Sequence, residues 1–181
     1  RPQRWTAEQI LEEHQLTEEL AADEISVIPP MKVNDNTLFQ HQDFLFALYP
    51  RKGGRSPDLE NEESLTIIGR AIGRMHSVGA QHQFEHRPQL GLREYGHDAV
   101  DILLSGEFVP DDLIPSWQST VELLLKRIEI IWSGISWRPL RLHGDCHMGN
   151  VIWRDDEAYF VDFDDARTGP AVQDLWMMLS G

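Results

Sequence analysis

The sequence predicts an α+β fold in two parts, a small mixed part followed by a mainly helical one. Three observations carry this. Apolar residues recur at helical spacing in two stretches, at Leu65, Ile68, Ile72 and Met75 and at Val121, Leu124, Leu125, Ile128, Ile131 and Trp132. Short β-type runs gather elsewhere, at residues 37–40, 44–49, 140–143, 151–153 and 159–163. Between them, residues 51–63 are polar, hold Gly53, Gly54 and Pro57, and read as a linker. The expected parts are therefore residues 1–50, the linker 51–63, and residues 64–181.

Each element has a local reason. Thr6 with Gln9 forms a capping box that starts a helix reaching about Ala22, with Ala7, Ile10, Leu11 and His14 on one face. Pro29 and Pro30 make residues 25–33 a connection or an edge segment. The runs on either side of residues 41–43 suit a hairpin. In the helix after the linker, Gly69 and Gly73 are four apart, as close helix packing requires. Residues 86–115 show no sustained period. Ser119 with Glu122 reads as a second capping box, opening the next helix. An acidic turn at residues 155–157 joins the last two strands. The sequence starts at Arg1 and ends within a helical pattern, so it is expected to be a piece of a longer chain.

Composition excludes several classes. Thirty acidic against sixteen basic residues give a formal net charge of −14, which lacks the basic footprint of a nucleic-acid or anionic-membrane partner. No run approaches the roughly 18 apolar residues of a membrane helix. The single cysteine, Cys146, rules out an intrachain disulfide framework and fits a reducing compartment, so a cytoplasmic location is expected.

The chemistry concentrates in residues 141–165, RLHGDCHMGNVIWRDDEAYFVDFDD. His143, Asp145 and Asn150 fall in a glycine-containing loop between two strands, and Asp162 ends the hairpin that follows. A carboxylate, an Asn five residues on and a second carboxylate at a strand end suit metal-assisted phosphoryl transfer. One Asp takes the proton of the acceptor hydroxyl; the Asn oxygen and the later Asp hold Mg²⁺ against nucleotide phosphates. Protein-kinase catalytic loops have the same Asp-to-Asn interval, with His two residues before the Asp. Zinc at His143, Asp145, Cys146 and His147 is a weaker alternative, because three or four ligands must converge and neighbouring residues rarely point at one ion.

HGDCHMGN followed by VDFDDARTGPAVQDLWMML resembles the aminoglycoside phosphotransferase and choline kinase branch of the protein-kinase-like fold. More narrowly, RPQRWTAEQILEEHQ, FALYPRKGGR and IGRAIGRMHSVG resemble the bacterial stress response kinases, serine/threonine protein kinases of that branch. The resemblance implies a two-lobe fold, truncated here at both ends, with ATP as co-substrate and Mg²⁺ as cofactor. It implies that Asp145 is the catalytic base and His143 a structural histidine of the loop. Asn150 and Asp162 become the metal ligands, Asp162 as counterpart of the DFG aspartate. Glu13 matches the glutamate that pairs with the phosphate-anchoring lysine, although Glu12 is adjacent and a solvated helix face reads equally well. Ala47, Leu48 and Tyr49 fall where the hinge meets adenine, and Asp174 matches a buried aspartate that steadies the loop.

The family's nucleotide-cradling loop and lysine are expected before Arg1, and further helices after Gly181, so these 181 residues alone are expected to be inactive. The expected acceptor is a protein Ser/Thr hydroxyl, with a small-molecule hydroxyl or a nucleotide-binding pseudokinase as the alternatives.

Overall fold

The computed structural model describes residues 4–180; Arg1, Pro2, Gln3 and Gly181, at the ends of the two expected parts, lie outside the described residues. Contacts divide the chain into two compact units, residues 1–87 with 139–181, and residues 88–138. Residues 51–63 stay inside the first unit because the Arg55 backbone pairs with Trp153, accepting from its N–H at 2.7 Å and donating to its carbonyl at 3.0 Å.

In the first unit, α1 (Ala7–Ala22) begins where expected. The Gln9 N–H donates to Thr6 Oγ1 and the Thr6 N–H to Gln9 Oε1. It ends in a left-handed residue, Glu24 at φ 56°, while the Ile25 N–H reaches back to the Leu20 carbonyl and the Glu24 N–H to that of Ala21. These two bonds occupy carbonyls that the helix end leaves open. The buried face of α1 is rotated from the expected one: it carries Glu13, His14, Leu16, Thr17 and Leu20, while Leu11 is exposed.

β1 (Phe39–His41) and β2 (Phe44–Phe46) form the expected hairpin, with Gln42 at φ 52° in its turn. α2 (Glu62–Gly79) is capped by Asn61, whose Oδ1 accepts from the Glu63 N–H at 2.8 Å. It buries Ile68, Ile72, Met75 and Val78, but Leu65 stays 45% exposed. Gly69 and Gly73 face open space rather than a packed helix. The close approach comes at Gly79, where an added Cβ would strike the backbone of Arg141.

β3 (Leu140–Leu142) pairs antiparallel with β6 (Arg167–Gly169), and β4 (Val151–Arg154) with β5 (Glu157–Phe160). β6 lies outside the runs expected to be strands. Asp155 and Asp156, at φ 53° and 58°, make the two-residue turn of the β4–β5 hairpin. The outer edge of β5 meets residues 26 and 27, with the Phe160 N–H donating to the Ser26 carbonyl at 2.8 Å. Leu16, Leu20, Ile25, Val27, Ile68, Ile72, Met75, Trp153 and Phe160 share one core, so the first fifty residues contribute directly to it. α5 (Val172–Ser180) closes the unit and adds Met178 to the core.

The second unit runs through a π-helical turn (Arg93–His97) into α3 (Asp98–Ser105), and then α4 (Ile114–Ser133). α3 lies in the stretch without periodicity. α4 starts well before the expected capping box, with Pro115 in its first turn, and Ser119 Oγ donates instead to the Pro115 carbonyl inside the helix. Neither helix buries a residue. A small apolar cavity of about 190 Å³ lies within this unit, lined by Leu90, Leu92, Tyr95, Leu125, Ile128 and Trp132 among others. Among the described residues no helix is long and apolar enough to cross a membrane.

Candidate active site

The loop after β3 is held from beneath by one carboxylate. Asp174, fully buried near the start of α5, accepts from the His143 N–H at 3.2 Å and the Gly144 N–H at 2.9 Å. Its Oδ2 also lies 2.9 Å from His76 Nε2 of α2. Gly144 has φ 84° and sits so close to the Asp165 carbonyl that no side chain would fit. A left-handed residue at a close backbone approach needs glycine.

His143 is committed at both ring nitrogens. Nε2–H donates to the Val161 carbonyl at 3.0 Å, Nδ1 accepts from the Asp145 N–H at 3.4 Å, and the ring lies on Phe163 at 4.3 Å. Burial holds its pKa below the ordinary histidine value, so the ring stays neutral and acts as a strut between loop and hairpin. Cys146 is buried, and burial pushes its thiol far up, the opposite of an activated nucleophile. His147 Nδ1 accepts from the Gly149 N–H. Both His143 nitrogens are engaged while His147 Nε2 faces Asp145 Oδ2 at 3.6 Å, and among the described residues no three His, Cys, Asp or Glu side chains form a metal cluster.

Asp145 is half-buried. Asn150 Nδ2 donates to the Asp145 carbonyl at 2.9 Å and approaches Asp145 Oδ2 at 3.5 Å. The Val161 N–H donates to the Asn150 carbonyl at 3.0 Å, so Asp162 follows directly on a residue tied to Asn150. Asp162 is exposed and left-handed, at φ 65°, beyond the end of β5 rather than within the strand. The expected loop residues are thus linked by a continuous set of short bonds. The donor set suits a hard divalent cation: Asp162 offers carboxylate oxygens and Asn150, its Nδ2 held by Asp145, offers Oδ1.

A cleft of about 550 Å³ opens beside Asp162. It is lined by Glu13 and Thr17 of α1, Ile28, residues 49–52, Ile152, and residues 161–164. Tyr49 lines it, whereas Ala47 and Leu48 are not among the lining residues; the Leu48 carbonyl accepts from the Met31 N–H at 2.7 Å. Asp145 and Asn150 lie outside the lining, joined to it through Val161. Lys52 is a lining residue that sequence reasoning missed, held over the Tyr159 ring at 3.7 Å. No local pattern marks it, because its partner is a hundred residues away.

Glu12 and Glu13 differ in their surroundings. Glu12 turns to accept from the N–H groups of Glu85, His86 and Arg87 at 2.6–3.1 Å. Glu13 is buried on the cleft, and burial raises its pKa to about 7 against the pull of Arg87, with Asp164 and Asp162 raising it further. His14, beside it, contacts Thr37 Oγ1 at 2.8 Å and Tyr49 Oη at 3.3 Å, tying α1 to the residues at the cleft mouth.

A loop braced by a buried aspartate, followed by a hairpin that delivers a second aspartate to a cleft, is the layout of the protein-kinase-like fold. The profile of the phosphotransferase enzyme family matches residues 1–181, and the chain belongs to that family. It is 45% identical over 181 residues to stress response kinase A of Escherichia coli K12, covering all of this chain and 55% of that protein. Over the same 181 residues it is 41% identical to the serine/threonine protein kinase RdoA of Salmonella typhimurium, again with 55% of that protein covered. The chain spans about half the length of the curated relatives it matches. Among solved structures, an amicoumacin kinase in complex with AMP-PNP, Ca²⁺ and Ami aligns at TM-score 0.75 and 23% identity, over 97% of this chain and 54% of that one. At that identity the likeness concerns the fold.

Proposed function

We propose that this chain carries the nucleotide cleft and catalytic loop of an ATP-dependent kinase that transfers the γ-phosphoryl group to a hydroxyl. The observation that supports it most is the bonded series from Asp145 through Asn150 and Val161 to Asp162 at the cleft. ATP occupies the cleft, with adenine toward Tyr49 and Pro50 and its phosphates toward Asp162. Asn150 Oδ1 and the Asp162 carboxylate would hold Mg²⁺, which when bound would offset charge on the phosphate oxygens. The Asp145 carboxylate accepts the hydrogen bond of the acceptor hydroxyl, orients it for in-line attack and takes its proton. Glu13 is placed to pair with a phosphate-anchoring cation supplied by another part of the protein. A protein Ser/Thr hydroxyl is the acceptor favoured by the 41% identity to a serine/threonine protein kinase, the stress-response role follows the 45% identity to a stress response kinase, and a cytoplasmic location belongs to the same reading. The amicoumacin kinase likeness makes a small-molecule hydroxyl the second reading.

The test is ATP-dependent transfer by the full-length protein, with protein and aminoglycoside acceptors side by side. Asp145→Asn should lower kcat by roughly 10²–10⁴-fold, the contribution of a positioned general base, with ATP binding retained. Asp162→Ala should abolish metal-dependent ATP binding. Wild-type turnover in Asp145→Asn would sink the mechanism.

A further inference from the structure

Arg87 is a buried cation that the reading above leaves unused. Its guanidinium reaches three backbone carbonyls on two separate elements. Nε donates to Gln9 of α1 at 2.8 Å, and Nη1 donates to Asp164 at 2.6 Å and Ala166 at 3.0 Å. The Arg87 N–H donates to Glu12 Oε2, again on α1. The guanidinium lies over the Trp5 ring at 4.7 Å. Arg4 lies over the same ring at 4.8 Å and pairs with the carboxylates of Asp164 and Asp165. Together these attachments join residues 4–12, Arg87 and residues 164–166.

Residues 164–166 follow closely on Asp162, whose left-handed backbone is uncommon for residues with a side chain, although Asp adopts it more readily than most. Such a conformation persists where the surroundings hold it. The turn has one internal bond of its own across residues 163–166, from the Ala166 N–H to the Phe163 carbonyl. Arg167 holds Asp165 from one side, Nε donating to its carbonyl at 2.7 Å and Nη2 to its Oδ1 at 2.6 Å, and the fixed Arg87 guanidinium adds the bridge to α1. Glu13, on α1, and Asp162 line the same cleft.

We propose that Arg87 is a positioning residue, which locks the turn at residues 163–166 to α1 and thereby fixes the Asp162 carboxylate for metal. The proposal rests on the reading of Asp162 as a metal-holding residue. A guanidinium that merely satisfied three carbonyls would affect overall stability and nothing local.

The experiment compares full-length wild-type protein with Arg87→Lys, which keeps the charge but lacks a planar fork able to span both elements. Hydrogen exchange is measured on residues 163–166 and on α2 without metal or nucleotide, and Mg²⁺ affinity is measured with AMP-PNP present. Exchange at residues 163–166 should accelerate while that of residues 68–75 does not. Mg²⁺ affinity should fall by roughly 10–100-fold, the usual cost of losing a group that orients a metal ligand. A folded Arg87→Lys with wild-type exchange and wild-type Mg²⁺ affinity overturns the proposal. If Arg87→Lys does not fold, Trp5→Leu, which removes only the ring under the guanidinium, decides: the same pattern in weaker form supports the lock, and wild-type values overturn it. Wild-type protein that binds no Mg²⁺ with AMP-PNP would refute the metal reading, whereas exchange at residues 163–166 tests the lock by itself.

Discussion

Residues 140–174 and residues 88–138 use their side chains in opposite ways. In the first stretch polar groups are buried and engaged: Asp174 with two amides and His76, His143 at both ring nitrogens, Asn150 with Asp145. In the second the apolar residues are at the surface, with Phe108 70% and Ile130 65% exposed, and α3 and α4 bury nothing. Apolar periodicity therefore reports that a helix forms, not that its face is covered. α2 and α4 carry similar stripes, yet α2 buries four large apolar residues. A buried polar group is more demanding, because each one needs a partner in place.

The sharpest way to break this contrast is Asp174→Ala. It strands two buried amides and His76, so stability should drop by about 3–5 kcal/mol, the usual loss when one partner of a buried charged contact is removed. Denaturant unfolding measures it, and a loss below about 1 kcal/mol would mean that the loop does not depend on this clamp.

Ile72→Ala in α2 should cost about 2–5 kcal/mol by opening a cavity in the shared core. The matching change in α4 belongs at the other end of the scale.

Between them stands Glu13. Its folded pKa of about 7 lies above the ordinary carboxylate value of 4.5, so the folded state holds the proton longer than the unfolded chain. Stability from this group is complete below about pH 4.5 and is lost as pH rises toward 7, a change on the order of 1–3 kcal/mol. Glu13→Gln should remove that part of the pH dependence, read by unfolding at pH 5 and pH 8. A cation brought against Glu13 in the whole protein would lower its pKa and flatten the wild-type curve in the same way.

The smallest effect is expected at Ile130→Ala, within about 0.5 kcal/mol for an exposed site. A loss of several kcal/mol there would show that this face of α4 is covered in the whole protein.

The elements that the sequence by itself determined are those whose causes lie within a few residues of each other. The Thr6–Gln9 box starts α1, the acidic turn within residues 155–157 joins one hairpin, and the Asp145-to-Asn150 interval marks the loop. Tertiary structure alone decided what depends on distant partners. The helix pattern left Glu12 and Glu13 equivalent; residues 85–87 claim one, and the cleft buries the other. β6 became a strand only because Leu140–Leu142 lies alongside to accept it. Among the described residues Gly69 and Gly73 face open space, whereas Gly79 meets Arg141. Arg87 carried no local signal at all, since its bonds join residues 9, 164 and 166. Capping and turn chemistry act over one helical turn and are written in neighbouring residues, while burial is decided by whichever part of the chain arrives to cover a face.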